Sequence, residues 1–507
     1  MAVFDLVIAL LLAGAALAAF ARRLGLPYPA LLALAGAGLA LVPGTPTVML
    51  DPELALVLFV APVLLDAAFD ASPRDLREHW RPVASLALVA VALTVAAVAV
   101  TVHWLVPEMP WAAAVALGAI VAPPDAAAAT AVLRQLRPPH RLLVILEGES
   151  LFNDASALLI YRLAVGAAVG GAVAGADVVP TLLFVSVGSI VLGLVLARVT
   201  LVVNTSIRDV ATSVIVQFIG TFGVWLLAEG LHLSGILTVV VYAMSVARDA
   251  PAIMPARIRI PSYAVWEVVV FVLNVLAFIL VGLQLKPILA RLDRPTAVAY
   301  LGTAAAVCAT VILVRVVWVW ASESLGHWGH RGASGRRCGS PRNAVIVAWC
   351  GMRGIVTLAA ALALPREFPQ RDLILFTAFC VVLGTLVLQG LTLRPLMRRL
   401  GVEQDDEVER EVRLAREETT RAAVAALDGL GEQHELGRLL RRKYESRLAG
   451  MNGNGESDST AELARRVVAA ERRRLVELRA DGTIGDDAFH KVEEELDWAE
   501  LSAESRD

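Results

Sequence analysis

The sequence predicts an all-α polytopic membrane protein with about 13 transmembrane helices and a helical cytoplasmic tail. Of its 507 residues, 57% are hydrophobic and only 18% are charged, and the mean hydropathy is +0.67. Apolar runs of about 20 residues, the length that crosses a bilayer, recur throughout residues 1–400. Residues 401–507 instead carry 27 acidic and 17 basic side chains. The chain therefore divides into a membrane domain (1–400) and an acidic tail (401–507).

The apolar runs of the membrane domain define the candidate spans. They are 3–20, 28–44, 52–70, 83–106, 111–133, 142–170, 178–203, 210–231, 233–247, 263–285, 296–322, 343–364 and 372–396. Loops after odd-numbered spans hold 16 basic residues, Arg74 and Arg259 among them, and loops after even-numbered spans hold 5. Because basic loops stay in the cytoplasm, the N-terminus is expected outside the cell and the tail inside. An odd number of spans agrees with that orientation.

Two spans contain helix breakers at corresponding positions. Pro123 and Pro124 remove two backbone donors from the middle of the fifth span, just before Asp125. Gly351 and Gly354 interrupt the twelfth span. Spans 1–6 and 8–13 then form two six-helix repeats of inverted orientation, with a broken helix in the same place in each. Paired interruptions of this kind indicate the binding site of a transporter.

The sixth span carries the polar residues that are most costly in a membrane. A carboxylate at the bilayer centre costs roughly 3 kcal/mol or more, so Asp154 indicates a pathway for ions or protons. Residues four apart share a helix face, which places Ser150 with Asp154 and Glu149 with Asn153. Hard cations prefer oxygen ligands. Burial favours a protonated carboxyl and a nearby cation favours a carboxylate, so one site can hold either H⁺ or a cation.

The sequence also predicts roles for three further charged residues in the spans. Asp125 is expected to contribute to the ion site, to cap the second half of its broken helix, or both. Arg353 needs a buried partner, and Glu149 is the best candidate, although helix-end carbonyls are the alternative. Asp66, near the end of the third span, either lines an access route for ions or lies at the membrane interface.

No cofactor is expected. The chain has no nucleotide-binding loop or zinc motif, its four cysteines lack metal or disulfide spacing, and nothing suggests a nucleic-acid partner. The inverted repeats with broken helices favour a secondary transporter over two alternatives. These are a cation channel and a transport-inactive membrane sensor with a regulatory tail. An intramembrane enzyme is disfavoured because no hydrolase motif surrounds the aspartates.

The tail is predicted to be helical. One polar helix begins it, a second helical run lies near 437–448, and a flexible linker follows at 451–460. An apolar stripe at helical spacing comprises Leu463, Val467, Val468, Leu475 and Leu478. A turn at 481–487 leads into a last acidic helix. The stripe indicates either a helical hairpin that packs on itself or a regulatory or dimer contact.

Several stretches together resemble the electroneutral branch of the monovalent cation:proton antiporter family. They are VAPPDAAAATAVL (121–133), EGESLFNDASAL (147–158), FILVGLQL (278–285) and GMRGIVTLAAALALP (351–365), with a looser match in VLLDAAFDASPRDLR (63–77). The resemblance implies a homodimer in the plasma membrane, the bacterial inner membrane, with a dimerisation bundle and an ion-carrying core that contains crossed broken helices. It implies one-for-one exchange of Na⁺, K⁺ or Li⁺ for H⁺.

The resemblance also implies roles for individual residues. Asp154 matches the family's cation and proton carrier, and Ser150 and Asp125 match ion-coordinating positions, so these three would bind the transported metal cation. Asn153 belongs to the Asn-Asp pair of that site. Glu149 and Arg353 match a stabilising cluster in which Asn153 also takes part.

One departure from the family pattern concerns the fifth span. Many members have Thr-Asp-Pro at the break, whereas this chain has Pro124-Asp125-Ala126. Pro124 has no hydroxyl, so only its carbonyl is expected to be available to a cation. The sequence leaves the choice between Na⁺ and K⁺ open.

Overall fold

The structure is a computed structural model that describes residues 2–24, 26–45, 51–133, 138–170, 175–207, 209–324, 341–401, 407–428 and 460–504. All regular secondary structure in these ranges is helical, which confirms the all-α fold class. The helices of the membrane body are α1 (Ala2–Leu24), α2 (Tyr28–Ala40), α3 (Pro52–Asp70), α4 (Pro73–Glu78), α5 (Trp80–Leu105), α6 (Trp111–Val121), α7 (Ala126–Leu133), α8 (His140–Gly170), α9 (Gly175–Ser206), α10 (Val210–Gly230), α11 (Gly235–Ile253), α12 (Ala256–Leu289), α13 (Arg294–Ser324), α14 (Pro341–Trp349), α15 (Ile355–Leu362) and α16 (Arg371–Leu400).

The helices of the membrane body follow the predicted spans. Each predicted span falls on one helix or on two half-helices. Within the described ranges, 9 helical stretches are long and apolar enough to cross a membrane, so the chain is an integral, multi-pass membrane protein. Helix α8 has 31 residues, but the polar side chains along it lower its hydropathy. The total of thirteen spans stays a prediction. Some of the basic residues used for the orientation lie at 134–137, 208 and 325–340, outside the described residues.

Both predicted interruptions are present as gaps between half-helices. Helix α6 ends before residues 122–125 and α7 follows them, while α14 ends before residues 350–354 and α15 follows. The two gaps contact each other, because the amide of Asp125 donates to the carbonyl of Met352 over 2.7 Å. Non-helical backbone at membrane depth must find partners within the protein. Each gap supplies such a partner to the other, so the half-helices meet at one point.

Helices α2 and α12 approach so closely that their backbones touch. A Cβ atom on Gly36 would lie 2.2 Å from the carbonyl oxygen of Ile279, and one on Gly282 would lie 2.2 Å from that of Ala33. Real side chains cannot occupy these positions without moving a helix. Small residues allow membrane helices to pack in this way, where dispersion contacts replace the hydrophobic effect. We name this contact the glycine seam.

The described part of the tail contains three helices: α17 (Glu407–Asp428), α18 (Thr460–Ala480) and α19 (Asp486–Glu504). Their apolar faces form a small core of their own. It contains Val412, Ala415, Leu475, Leu478, Ile484, Ala488, Phe489, Val492 and Leu496. Helices α18 and α19 thus form the hairpin that the apolar stripe indicated. The predicted helical run at 437–448 and the linker up to residue 459 lie outside the described residues.

The tail also binds the membrane body through buried ion pairs. Arg259, near the start of α12, is 1% exposed and donates to Asp497 of α19, with one Nε–Oδ2 distance of 2.8 Å. Its Nη1 atom lies 3.2 Å from Glu493. A buried arginine is stable only with such partners. The sequence predicted Arg259 as a cytoplasmic loop residue, and the structure gives it the additional role of anchoring α19.

A second contact joins the tail to the helix that carries Asp154. His140, the first residue of α8, lies 3.0 Å from the Asp75 carboxylate and 3.2 Å from that of Asp487 in α19. Burial by itself lowers the pKa of His140, but hydrogen bonds to Asp487 and Asp75, together with their charges, raise it to about 10. The pKa values of both carboxyl groups are lowered, with the hydrogen bond from His140 the largest cause for Asp487.

We predict that docking of α19 weakens as the pH rises from 6.5 towards 10. Asp487 of α19 is one of the two carboxylates that raise the pKa of His140 to about 10, so docking favours the protonated imidazole. The contribution of Asp487 is complete below pH 6.5 and is lost as the pH rises through about 10. The carboxyl groups stay ionised over this range because their pKa values lie below 3.8. Limited proteolysis of α19 in the full-length protein measures the docking, and cleavage should accelerate at high pH.

The variant H140Q isolates this contact. It should be cleaved faster than wild type at pH 6 and at the same rate near pH 10. The matched control is H103Q, because His103 contacts Trp111 and the Met109 carbonyl rather than the tail. Normalising to H103Q at each pH removes the pH dependence of the protease. Equal cleavage of H140Q and H103Q at pH 6 would show that the histidine does not hold the tail.

Candidate functional site

A cavity of about 270 Å³ lies where the broken helices meet α8. Side chains from α3, α7, α8, α12 and α15 line it. Asp125, Ser150 and Asp154 all face the cavity, and Gly354 lies on its wall. Ser150 and Asp154 are four residues apart on α8, so one helix face presents both. The structure thus brings three of the predicted ion-binding residues together at the two interruptions.

Among the described residues, Asp154 has no hydrogen-bonding or ion-pair partner, although it faces this cavity. It is 6% exposed, and no side chain or backbone amide in the described part of the chain donates a hydrogen bond to it. A buried carboxylate without donors is costly unless it takes up a proton or a cation. Asp154 can therefore exist in two states, neutral with H⁺ or paired with a bound cation.

Asp125 is held differently, by the ends of the broken helices. One carboxylate oxygen accepts from the amide of Ala127 in the first turn of α7, over 2.9 Å. The other lies against Gly354, where an added Cβ would come within 1.7 Å of it. Asp125 therefore caps α7 and also faces the cavity, so both expectations for this residue agree with its position. Gly354 is required because any side chain would displace this carboxylate.

Two polar side chains of α8 hold the first break in place. The hydroxyl of Ser150 accepts from the amide of Ala126 over 3.3 Å. The side-chain amide of Asn153 donates to the carbonyl of Pro124 over 2.9 Å. Asn153 is fully buried and is not among the residues that line the cavity. The side-chain amide of Asn153 therefore holds the first break against α8, while its buried Oδ1 atom has no hydrogen bond within the described residues. The Pro124 carbonyl that the sequence left available accepts the bond from Asn153.

The prediction that Arg353 forms an ion pair with Glu149 is wrong. Glu149 pairs with Arg315 of α13, and one of their contacts measures 2.8 Å between Nη2 and Oε2. Both side chains are buried, and Arg315 also donates to the carbonyl of Val347 over 3.0 Å. Helix α13 packs against α14, which in turn contacts α8, and this arrangement brings Arg315 to Glu149.

Arg353 takes the alternative role of binding helix-end carbonyls. Its guanidinium donates to the carbonyls of Val121 and Ala122 over 2.9 and 3.1 Å, and also to that of Gly351. The last carbonyls of a helix have no partner within it and carry partial negative charge. Arg353, from one break, therefore satisfies the end of α6 at the other break.

Three acidic residues line the part of the cavity next to the end of α3 and the start of α8. They are Asp66, Asp70 and Glu147. Helix α4, which follows α3, contacts the tail through Arg74 and Glu411, so this part of the cavity lies towards the tail. Asp66 thus lines the cavity rather than lying only at the interface. Acidic residues on this side raise the local concentration of cations.

Sequence reasoning did not single out several polar residues of the cavity wall. Thr130, Asn274 and Thr357 line it, from α7, α12 and α15. Uncharged polar residues are common in membrane helices, and no motif marked these three. An indication for Thr357 was present in the sequence, because this residue lies three positions after Gly354, within the family-like stretch 351–365.

The chain is similar to known exchangers along nearly its whole length. A family model described as sodium/hydrogen exchanger, transmembrane, matches residues 7–399. An uncharacterised Na⁺/H⁺ exchanger of Mycobacterium tuberculosis is 31% identical over 503 residues, covering 93% of this chain and 91% of that protein. A sodium, potassium, lithium and rubidium/H⁺ antiporter of Bacillus pumilus is 28% identical, covering 94% of this chain and 74% of that one.

The fold is similar to that of a solved antiporter. The structure of the sodium proton antiporter MjNhaP1 from Methanocaldococcus jannaschii at pH 8 superposes with a TM-score of 0.61. The match covers 79% of this chain and 99% of that one, at 18% sequence identity. On the sequence matches and this shared fold, the chain belongs to the sodium/hydrogen exchanger family.

Proposed function

We propose that this protein is a secondary antiporter that exchanges Na⁺, or K⁺ or Li⁺, for H⁺ by alternating access. The observation that carries the proposal is Asp154, a buried carboxylate without a hydrogen-bond donor in the described residues, facing a cavity between two broken helices. The names of the relatives support Na⁺ and H⁺ as the exchanged ions, and the Bacillus pumilus relative supports K⁺ and Li⁺ as alternatives.

The chemistry follows from one carboxylate that serves two ions. In one state Asp154 is protonated, and the cavity needs no further charge. In the other state Asp154 is ionised and binds the cation, with Ser150 and Asp125 adding oxygen ligands. The two ions compete for the same oxygens, so each excludes the other. One cation then moves in one direction for each proton in the other, which makes the exchange electroneutral and requires no ATP.

The assembly around the site supports a body that moves as a unit. Asp125 joins the two breaks through Met352, Arg353 binds the end of α6, and Asn153 binds the first break to α8. We assign these elements to an ion-transport core within residues 1–400, beside a dimerisation bundle in a homodimer.

The proposed orientation places the tail, residues 401–507, in the cytoplasm of a bacterial plasma membrane. Arg74 and Arg259, both on loops or helix ends predicted to be cytoplasmic, contact the tail. Cations from the cytoplasm would reach Asp154 past Asp66, which lines the same cavity. The N-terminus would then lie outside.

We predict that D154N abolishes exchange while the protein still folds. An amide has nearly the shape of the carboxylate but neither binds a proton at neutral pH nor neutralises a cation. Cation-driven pH change in proteoliposomes measures the activity, and size-exclusion elution reports the fold. The matched control is E108Q, another carboxylate-to-amide change, at an exposed loop position away from the cavity. Normal exchange by D154N would rule out Asp154 as the carrier.

We also predict that the direction of exchange is independent of membrane potential. A carrier that moved one net charge would gain about 2.3 kcal/mol per 100 mV, which shifts the balancing ion gradient roughly 50-fold. Proteoliposomes clamped with valinomycin at 0 and −100 mV should reverse flux at the same ratio of cation and proton gradients. A reversal point that moves with voltage would contradict one-for-one exchange, and flux that does not saturate with cation would favour a channel.

We predict a third effect, on stability, from the Glu149–Arg315 pair. Replacing Glu149 in E149Q leaves the Arg315 charge buried without its carboxylate, which costs about 3–5 kcal/mol. The control is E229Q, because Glu229 forms a 2.7 Å pair with Arg162 in which both side chains are more than a third exposed. Exposed pairs contribute at most about 1 kcal/mol. Thermal unfolding in detergent should show a much larger loss for E149Q, and equal losses would contradict the assigned role.

A further inference from the structure

Thr357 has a buried hydroxyl without a hydrogen bond in the described part of the protein. The residue is 1% exposed, and its Oγ1 atom has no partner there. Other buried threonines of the membrane helices donate to the carbonyl four residues earlier, as Thr94, Thr221 and Thr385 do over 2.7 to 2.8 Å. Leaving a buried hydroxyl unpaired is unfavourable, because the group loses its hydrogen bonds to water without replacement. Each such group in a native structure calls for an explanation, such as a ligand.

The position of Thr357 places this hydroxyl at the ion site. It lines the cavity together with Asp125, Ser150 and Asp154. It lies in the first turn of α15, three residues after Gly354, and residues three apart share a helix face. Gly354 itself contacts the Asp125 carboxylate. Thr377 is also buried with an unpaired hydroxyl, but it lies in α16 and is not among the residues that line the cavity.

The first broken helix offers few free oxygens to a cation. Pro124 has no hydroxyl, and its carbonyl accepts from Asn153. One Asp125 oxygen accepts from Ala127, and the Ser150 hydroxyl accepts from Ala126. Each of these oxygens keeps a second lone pair, but none is free of protein donors. A hard cation that has lost its water needs several oxygen ligands, so a donor from the second broken helix would complete the set.

We propose that Thr357 supplies an oxygen ligand to the transported cation and so helps to determine cation affinity. The inference rests on the proposed antiport at Asp154. A rotation about the Cα–Cβ bond of Thr357 brings Oγ1 towards the cavity when a cation binds. The hydroxyl takes the place of the side-chain ligand that Pro124 lacks. Because it is neutral and binds the metal rather than the proton of Asp154, it acts on cation affinity and not on proton affinity.

The test compares T357V, which keeps the side-chain shape without the hydroxyl, with T357S, which keeps the hydroxyl. Exchange in proteoliposomes is measured with Na⁺, and in parallel with Li⁺, at several pH values. We expect T357V to raise the half-saturating Na⁺ concentration roughly tenfold at every pH, which corresponds to about 1.4 kcal/mol. Maximal rate and the competition constant for protons should stay unchanged. T357S should remain within about twofold of wild type.

The control variant is T377V, which also removes a buried, unpaired hydroxyl but lies away from the cavity. It should leave the half-saturating Na⁺ concentration unchanged. The inference is overturned if T357V saturates at the wild-type Na⁺ concentration, if T357S is as impaired as T357V, or if T357V shifts the proton constant by the same factor. The variant D154N distinguishes a failure of the proposed antiport function from a failure of the role assigned to Thr357. Active D154N refutes the proposed function, whereas inactive D154N with normal T357V refutes only the role of Thr357.

Discussion

The structure depends on one constraint, that backbone groups exposed by a broken helix in a membrane must be satisfied by protein. Two breaks meet, and each satisfies the other. The Met352 carbonyl accepts the Asp125 amide, and Arg353 binds the last carbonyls of α6. Neither break is stable alone, because its free amides and carbonyls would face lipid. The same unpaired groups that require this meeting also create a polar point in an apolar body, where an ion can be bound.

Charge within the membrane body follows from that arrangement. Arg315 is neutralised by a carboxylate, and Arg353 is held by carbonyls at a helix end, so two buried cations are stabilised by different means. Asp154 has neither kind of partner in the described residues. Two carboxylates of a single helix, α8, thus differ: Glu149 has a fixed counter-charge in Arg315, whereas Asp154 has none among the described residues. In the proposed exchange, the transported cation is the counter-ion of Asp154.

Local chemistry explains which features the sequence could predict. The two breaks were predictable because Pro123, Pro124 and Gly354 act on their own backbone. The separation of Ser150 and Asp154 from Glu149 and Asn153 followed from helix periodicity alone. Partner choice was not predictable in this way. Arg315 and Arg353 both lie in apolar spans, and only the tertiary arrangement of α13, α14 and α8 decides which one meets Glu149, 166 residues away from Arg315 in the sequence. Likewise, Arg259 meets Asp497 across 238 residues, which no local pattern encodes.

The glycine seam between α2 and α12 has a consequence for engineering this protein. Replacing a helical glycine with alanine is a common way to raise thermal stability. It stabilises the folded protein by about 0.4–1 kcal/mol, because it lowers the conformational entropy of the unfolded chain. At Gly36 and Gly282 the added methyl group would collide with a carbonyl of the facing helix. The exchange should be made instead at Gly223 or Gly302, where an added carbon meets no atom within 4 Å.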